Sequence, residues 1–327
     1  MKKNIINVIK FLIYLSIGGF LMWYVYRNYD MHQIQETLKT GVNYWWILLS
    51  MVAGLASHFS RTLRWQMLIE PIEKKTRLSN TFFAVMVGYF ANLLIPRMGE
   101  ISRCGVLSRY EKISVTRLIG TVVVERLIDV IMLFLCLLLV LAIQFNIVSD
   151  FLVKNTDLTK FSNIFTSVWT YAFIASLILL FRIFKKRFAR TSPYMKLKGL
   201  WSKFAEGFFA VRNLKNKTLF IFHTLFIWCM YFLMIYVCFF GFEFTSQLSP
   251  LAGFAAFVLG SLGMVAPVQG GMGPWHFMVI ATLQMYGVSQ NEGAAFALVV
   301  WSALNAMIVI TGIISLIFLP IINRKMA

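Results

Sequence analysis

The sequence predicts an all-α polytopic membrane protein. Of its 327 residues, 59% are hydrophobic and only 13% are charged, whereas soluble domains are typically about 45–50% apolar and 25% charged. The apolar residues form long runs, and the basic residues between the runs favour one side of the resulting topology. The net charge of +18 is therefore explained by lysines and arginines in cytoplasmic loops, and it does not require a nucleic acid. Anionic lipid headgroups are the next candidate partner for these basic residues.

Six stretches are long enough to cross a bilayer, which requires about 20 apolar residues in a helix. They are roughly 5–26, 43–60, 118–144, 161–184, 218–240 and 293–320. The first follows Lys2 and Lys3 and is succeeded by Tyr26 and Arg27 instead of a small-residue cleavage site. It is therefore predicted to be a retained transmembrane helix and not a signal peptide.

Two further regions, 79–108 and 251–287, are apolar but interrupted. The first is apolar from Thr81 to Pro96 and is then broken by Arg97–Glu100, and the second is broken by the Gly/Pro-rich stretch from Gly263 to His276. Such breaks at membrane depth are tolerated where protein or a water-filled cavity surrounds them. Each region is predicted to be a broken, re-entrant hairpin that enters and leaves on the same side, giving about eight membrane segments in total.

The basic residues between the segments support this topology. If 81–96 crossed the membrane alone, the basic cluster between Lys185 and Lys217 would face outside, against the positive-inside rule. With 79–108 as a hairpin, most of the 31 basic residues face inside. Both termini are then predicted to be cytoplasmic.

The predicted segments repeat with opposite orientation. Residues 1–145 read as span, span, hairpin from inside and span, and residues 146–327 read as span, span, hairpin from outside and span. This is the pattern of an inverted-topology repeat within a single integral membrane domain, 1–327, whose binding site lies where the broken elements meet. The alternative is that each hairpin is a tilted pair of full crossings, which loop charge does not distinguish.

The segment 194–217 differs from the spans. Leu197, Trp201 and Phe204 recur at steps of three and four among several lysines and arginines. This pattern predicts a basic amphipathic helix on the cytoplasmic membrane surface, where it anchors the protein. A second interpretation is that it gathers anionic lipids.

Charged residues inside a span are expensive and are functional candidates by default. Glu125, Arg126 and Asp129 lie in the first half of the span 118–144. Glu125 and Asp129, four apart, share a helical face, and Arg126 is placed to pair with Asp129. Two interpretations stay open: an internal ion pair that fixes the helix, or a relay or clamp for a headgroup.

The first hairpin offers candidate binding residues at its break. They are Asn92, Pro96, Arg97, Gly99, Glu100 and Arg103. Proline and glycine permit the reversal, and arginine presents a forked donor suited to phosphate. Arg61 and Arg64, at the end of the second span, extend this basic surface. The plainer interpretation is that the arginines follow the positive-inside rule.

The second hairpin offers Pro267, Gly270, Gly271, Gly273 and His276. A glycine-rich turn before a helix presents backbone N–H groups to an anion, and a histidine can titrate or donate to a substrate. The alternative for His276 is a hydrogen-bonded packing residue in an apolar helix.

The sequence contains no motif typical of hydrolases, kinases or nucleotide-binding folds, so no catalytic residue is predicted. The four histidines and four cysteines are scattered along the chain, and this spacing predicts neither a metal site nor a cofactor.

Three motifs together resemble the lysylphosphatidylglycerol synthase transmembrane, flippase-like family. Asn92–Arg103 resembles its N-L-L-P-x-R-x-G-E-x-x-R signature, Val123–Asp129 its V-x-E-R-x-x-D helix, and Pro267–Gly273 its P-x-x-G-G-x-G turn. The resemblance implies a bacterial inner-membrane protein similar to the flippase half of the multiple peptide resistance factor, which moves aminoacylated phosphatidylglycerol between leaflets. The larger relatives carry a soluble aminoacyl-transferase domain after the membrane part, and this sequence ends at Ala327, so it is not expected to synthesise the lipid. His276 stands where many relatives have an acidic residue, which bears on the choice of substrate.

The function predicted from these features is translocation of an anionic phospholipid or lipid-linked headgroup across the membrane, without enzymatic activity. The alternative is a membrane-embedded transferase or phosphatase acting on a lipid-linked substrate, with Glu100 or Asp129 as base and the arginines as an anion clamp.

Overall fold

The computed structural model describes residues 2–155 and 214–324. These residues form helices and no strand, apart from an isolated β-bridge between Val42 and Phe242. Numbered over the described residues, the helices are α1 (Lys2–Tyr26), α2 (Met31–Thr40), α3 (Tyr44–Ile69), α4 (Leu78–Leu94), α5 (Met98–Glu111), α6 (Val115–Asn155), α7 (Lys217–Phe239), α8 (Glu243–Ser246), α9 (Pro250–Gly263), α10 (Pro274–Met285) and α11 (Gln290–Ile322).

Three described helices are long and apolar enough to cross a membrane: Val115–Phe151 within α6, all of α7, and α11. Shorter apolar helices are Leu15–Tyr26, α4 and α9. The structure thus confirms a helical membrane protein. The count of six full spans stays a prediction, and the span 161–184 and residues 194–213 of the amphipathic helix lie outside the described residues.

Helix α3 extends well beyond the span 43–60 predicted for it. It continues to Ile69, so Arg61 and Arg64 lie inside the helix and not at its end. The helix continues because these polar residues are buried against other helices, with His58 and Ser60 beside them. Since the backbone donor and acceptor of a helical residue bond within the helix, only their side chains need partners.

Both broken regions are helix–turn–helix hairpins, which we call the first hairpin (α4 and α5) and the second hairpin (α9 and α10). The first turns at Ile95–Arg97, where Arg97 has a left-handed backbone with φ 64°. A Cβ on Gly99 would lie 2.2 Å from the Gly88 carbonyl oxygen, so the two helices touch backbone to backbone. The second turns through 264–273, and a Cβ on Gly263 would lie 2.7 Å from the Pro274 carbonyl oxygen.

Each hairpin packs against the last helix of the other half. Helix α4 packs on α11, α9 packs on α6, and α3 pairs with α7. At the start of the first hairpin, Asn323 at the end of α11 exchanges side-chain hydrogen bonds with Asn80, at 2.8 and 3.1 Å. At the start of the second, Gln144 in α6 donates to the Leu251 carbonyl at 3.0 Å and accepts from the Tyr286 hydroxyl.

The two hairpins meet at their tips. The Gln269 side chain donates to the Leu94 carbonyl at 3.0 Å, and a Cβ on Gly270 would lie 2.9 Å from Leu93. The tips of the two hairpins are therefore in direct contact, and the inverted repeat itself stays a prediction. An apolar core including Phe239 and Phe296 packs behind the second hairpin, and a smaller cluster around Trp65 packs behind the first.

Candidate functional site

A charged network forms where α3, α5 and α6 converge. Arg61 Nη1 donates to Glu125 and, at 2.8 Å, to Asp129 Oδ2. Arg64 Nη2 donates to Asp129 Oδ1 at 2.7 Å, and Arg103 Nη1 donates to Glu125 Oε2 at 3.2 Å. Helical spacing explains the geometry, because residues three or four apart point the same way. Arg61 and Arg64 thereby face the acidic pair Glu125 and Asp129.

The network is buried and supported by uncharged side chains. Arg61, Arg64, Arg103 and Glu125 are each almost completely shielded. The Arg103 guanidinium lies over the Trp65 ring, 4.7 Å from its centroid, while Trp65 Nε1 donates to Thr121 at 2.9 Å. Such stacking on an aromatic face holds an arginine in place and offsets part of its desolvation.

The network carries one positive charge more than it carries negative charge. Its buried members are three arginines facing Glu125 and Asp129. At its edge, Arg126 Nε lies 3.4 Å from Glu100 Oε1, which adds one charge of each sign. Nε and Nη2 of Arg103 have no hydrogen-bond partner among the described residues. Because a buried unpaired charge is costly, the network is suited to receive an anion.

A small cavity lies beside the network. Its volume is about 10 Å³, and it is lined by Val85, Gly88, Tyr89, Asn92, Gly99, Glu100, Arg103 and Arg126. That volume suffices for about one water molecule and not for a phosphate group. The cavity in this conformation is therefore too small to hold a headgroup.

The remaining predicted residues of the first hairpin shape its turn. Asn92 Oδ1 accepts a hydrogen bond from the Gly99 N–H at 2.6 Å, which closes the reversal. Pro96 lies in the turn, and Arg97 is exposed there without an ion pair among the described residues. The structure thus brings Arg61, Arg64 and Arg103 together and places Arg97 apart from them.

The predicted residues of the second hairpin lie at its tip, and none of them lines the cavity beside Arg103. Gly270, Gly271 and Gly273 have positive φ angles, and the Gly270 carbonyl accepts from Trp301 Nε1 at 2.7 Å. Pro267 precedes this turn. His276 is fully buried, and its Nδ1 accepts from the Gly273 N–H at 3.4 Å. Its ring packs among Tyr26, Trp275 and Trp301.

Several residues around the network were not predicted from sequence. Tyr89 donates to or accepts from Tyr231 at 3.2 Å, and its ring packs on His58 at 4.3 Å between centroids. Thr224 accepts from Arg64 Nη1 at 3.4 Å. Uncharged polar and aromatic residues are common in apolar helices, so their spacing alone does not separate them from packing residues. The charged members were recognisable because charge inside a span is rare.

The fold and the network define the class of the protein: a multi-pass helical membrane protein with a buried, net positive charge network. A family model described as the lysylphosphatidylglycerol synthase TM region matches residues 7–312. The chain therefore belongs to that family, which confirms the resemblance of the three motifs.

One distant relative of the chain matches it over part of its length. Over 131 residues the chain is 28% identical to the UPF0104 membrane protein MJ1595 of Methanocaldococcus jannaschii. The aligned part covers 39% of this chain and 36% of that relative, so the chain spans about a third of the relative's length. No solved structure matches the chain.

Proposed function

We propose that this protein translocates a phosphate-bearing membrane lipid between the leaflets of a bacterial inner membrane. The observation that carries the proposal is the surplus positive charge of the buried network, with unpartnered N–H groups of Arg103 beside a cavity. Charge is expensive in this setting and marks substrate paths in membrane proteins. Membership of the lysylphosphatidylglycerol synthase TM region family supports a lipid as the cargo.

In this mechanism the arginines bind the phosphate and the carboxylates limit the excess charge. Arg103 offers two unpartnered N–H groups, and forked donors of this kind match phosphate oxygens. Glu125 and Asp129 hold Arg61 and Arg64 in place between transport events. An empty site then carries one excess positive charge, which a single phosphodiester neutralises.

An inverted-topology repeat provides the movement. Three helix pairings support it: α3 pairs with α7, α4 packs on α11, and α9 packs on α6. The pairings of α4 and α9 each join a hairpin to the last helix of the other predicted half. Such repeats give alternating access when one unit moves against the other around a fixed site. The tip contact between Gln269 and Leu94 lies where the two units meet.

The central test is leaflet exchange in vesicles containing the purified protein and a headgroup-labelled phospholipid. Arg103→Gln is expected to slow exchange at least about tenfold, the effect of losing one charge-assisted hydrogen bond. Arg117→Gln is the control. Arg117, on α6, is an ion-paired arginine like Arg103 on α5, but its partner is Glu73 and the pair lies on the exposed surface.

Unchanged exchange in Arg103→Gln, or no exchange above protein-free vesicles with any lipid tried, would contradict the proposal. A chemically altered lipid would support the transferase or phosphatase alternative.

The proposed orientation has its own test, and we propose that both termini are cytoplasmic. A cysteine introduced at position 248 is expected to react with an impermeant thiol reagent from outside, and one at position 110 from inside. The opposite pattern would reject the proposed orientation and the inverted repeat built on it.

A further inference from the structure

One ion pair of the site is partly exposed at the surface of the described helices. The Arg126 side chain is 42% exposed and that of Glu100 is 30% exposed. Arg126 lies 11 residues after the start of α6, about 16 Å along the helix. Arg126 therefore lies well inside the apolar helix Val115–Phe151, where a partly exposed arginine is unusual.

The neighbouring exposed residues are apolar. Ile101 is 55% exposed, Leu127 37% and Val130 63%. Ile101 follows Glu100 and Leu127 follows Arg126 in the sequence, and Val130 lies one helical turn after Arg126. A charged pair surrounded by apolar surface offers one region for a headgroup and another for acyl chains. The pair itself is loosely made, because Arg126 Nε and Glu100 Oε2 have no hydrogen-bond partner among the described residues.

The pair also stands between this surface and the buried network. Glu100 and Arg126 both line the cavity that Arg103 lines from the interior. Arg126 is within 3.9 Å of Glu125 and of Asp129. A phosphate that reached Arg126 from the bilayer would therefore be next to the unpartnered N–H groups of Arg103.

We propose that the Glu100–Arg126 pair, between α5 and α6, is a lateral portal through which a phospholipid phosphate enters from the bilayer. The phosphate replaces Glu100 as the partner of Arg126, while the acyl chains stay outside against Ile101 and Val130. The inference rests on the proposed function for its choice of ligand. The occupant is a phosphate-bearing lipid, since Arg126 complements its charge and the flanking surface complements its chains.

The experiment places a photo-reactive amino acid at position 127 of the full chain in phosphatidylglycerol vesicles. After illumination, mass spectrometry identifies which part of the lipid is attached. Position 310 on α11 is the matched control, because Leu127 lies 12 residues from the start of α6 and Ile310 lies 12 residues from the end of α11. Both are about 18 Å from the helix ends predicted to face the cytoplasm, and Ile310 is 55% exposed.

The exposed residues around position 310 are apolar, including Ile313, Ile314 and Ile317, so position 310 is expected to attach to acyl chains alone. A lipid in the portal brings its phosphate and glycerol to Arg126, so position 127 is expected to attach to the headgroup region as well. Headgroup attachment at 127 should fall about tenfold in Arg126→Gln, which removes the charged partner, and should be unchanged in Arg117→Gln.

Acyl attachment alone at position 127, or headgroup attachment that survives Arg126→Gln, would overturn the portal. The readout is independent of transport. Headgroup attachment without leaflet exchange would retain the portal and reject the proposed function, whereas exchange without headgroup attachment at 127 would retain the function and reject this entry path.

Discussion

The two hairpins share a packing plan but differ in their polar chemistry. Each is a pair of short helices in close contact through a glycine, Gly99 in the first and Gly263 in the second. Helix α5 contributes Glu100 and Arg103 to the site, whereas α9 and α10 contain no Asp, Glu, Lys or Arg. Similar packing therefore does not require similar chemistry.

The difference assigns distinct tasks to the two hairpins. The first hairpin carries charge to the network, and the second supports its tip through Gln269 and the Leu94 carbonyl. The Gly/Pro-rich turn of the second hairpin is fixed by backbone and aromatic contacts, including the hydrogen bond from Trp301 to Gly270. This contrast predicts a large loss of stability when a charge of the network is removed. It predicts a smaller loss when the helix contact within a hairpin is overfilled, and the smallest when the contact between the tips is removed.

The largest effect on stability is expected from Glu125→Gln, which leaves three buried arginines facing Asp129 alone. Breaking a buried ion pair in this way costs about 3–5 kcal/mol. Arg103→Gln should cost less, about 1–2 kcal/mol, because it removes the surplus positive charge instead of enlarging it. Thermal unfolding in detergent micelles measures both. If Arg103→Gln proved the more damaging, the assignment of a net positive network would be wrong.

An intermediate effect is expected from filling the helix contact in either hairpin. The added methyl group of Gly99→Ala would meet the Gly88 carbonyl, and that of Gly263→Ala the backbone of Trp275. Overpacking of this kind costs about 1–3 kcal/mol, and the same unfolding measurement detects it.

Gly105→Ala is the control for this pair, since it lies in α5 with nothing within 4 Å of its added methyl. It should be neutral or stabilising by up to about 1 kcal/mol, because alanine favours helix over glycine. A loss in only one of the two hairpins would show that they do not share a packing plan.

The smallest effect is expected at the contact between the tips. Gln269→Ala removes the hydrogen bond to the Leu94 carbonyl and should destabilise the protein by about 1 kcal/mol. Gln247→Ala, at an exposed position, should leave unfolding unchanged. Equal unfolding temperatures for the two variants would mean that the tip contact adds nothing to stability.

The sequence alone determined the class, the hairpins and the charged candidates. Long apolar runs predict membrane helices since lipid offers their backbone no hydrogen bonds, and proline and glycine marked the two turns. Glu125, Arg126 and Asp129 stood out because charge in an apolar run is costly. Arg61 and Arg64 were identified as candidates, but their place inside α3 was not predicted. The apolar run ends just before Arg61, whereas the helix continues to Ile69.

Only the tertiary structure decided which charges meet. Arg61 and Glu125 are 64 residues apart in the chain, and a sequence gives no distance between helices that are not neighbours in it. It also did not indicate that Arg97 lies outside the network, or that Trp65 and Tyr89 lie beside it. Each charged candidate was recognisable from its own stretch of sequence, because burying any single charge is costly. The net charge of the network depends on which helices converge, and the sequence does not give that.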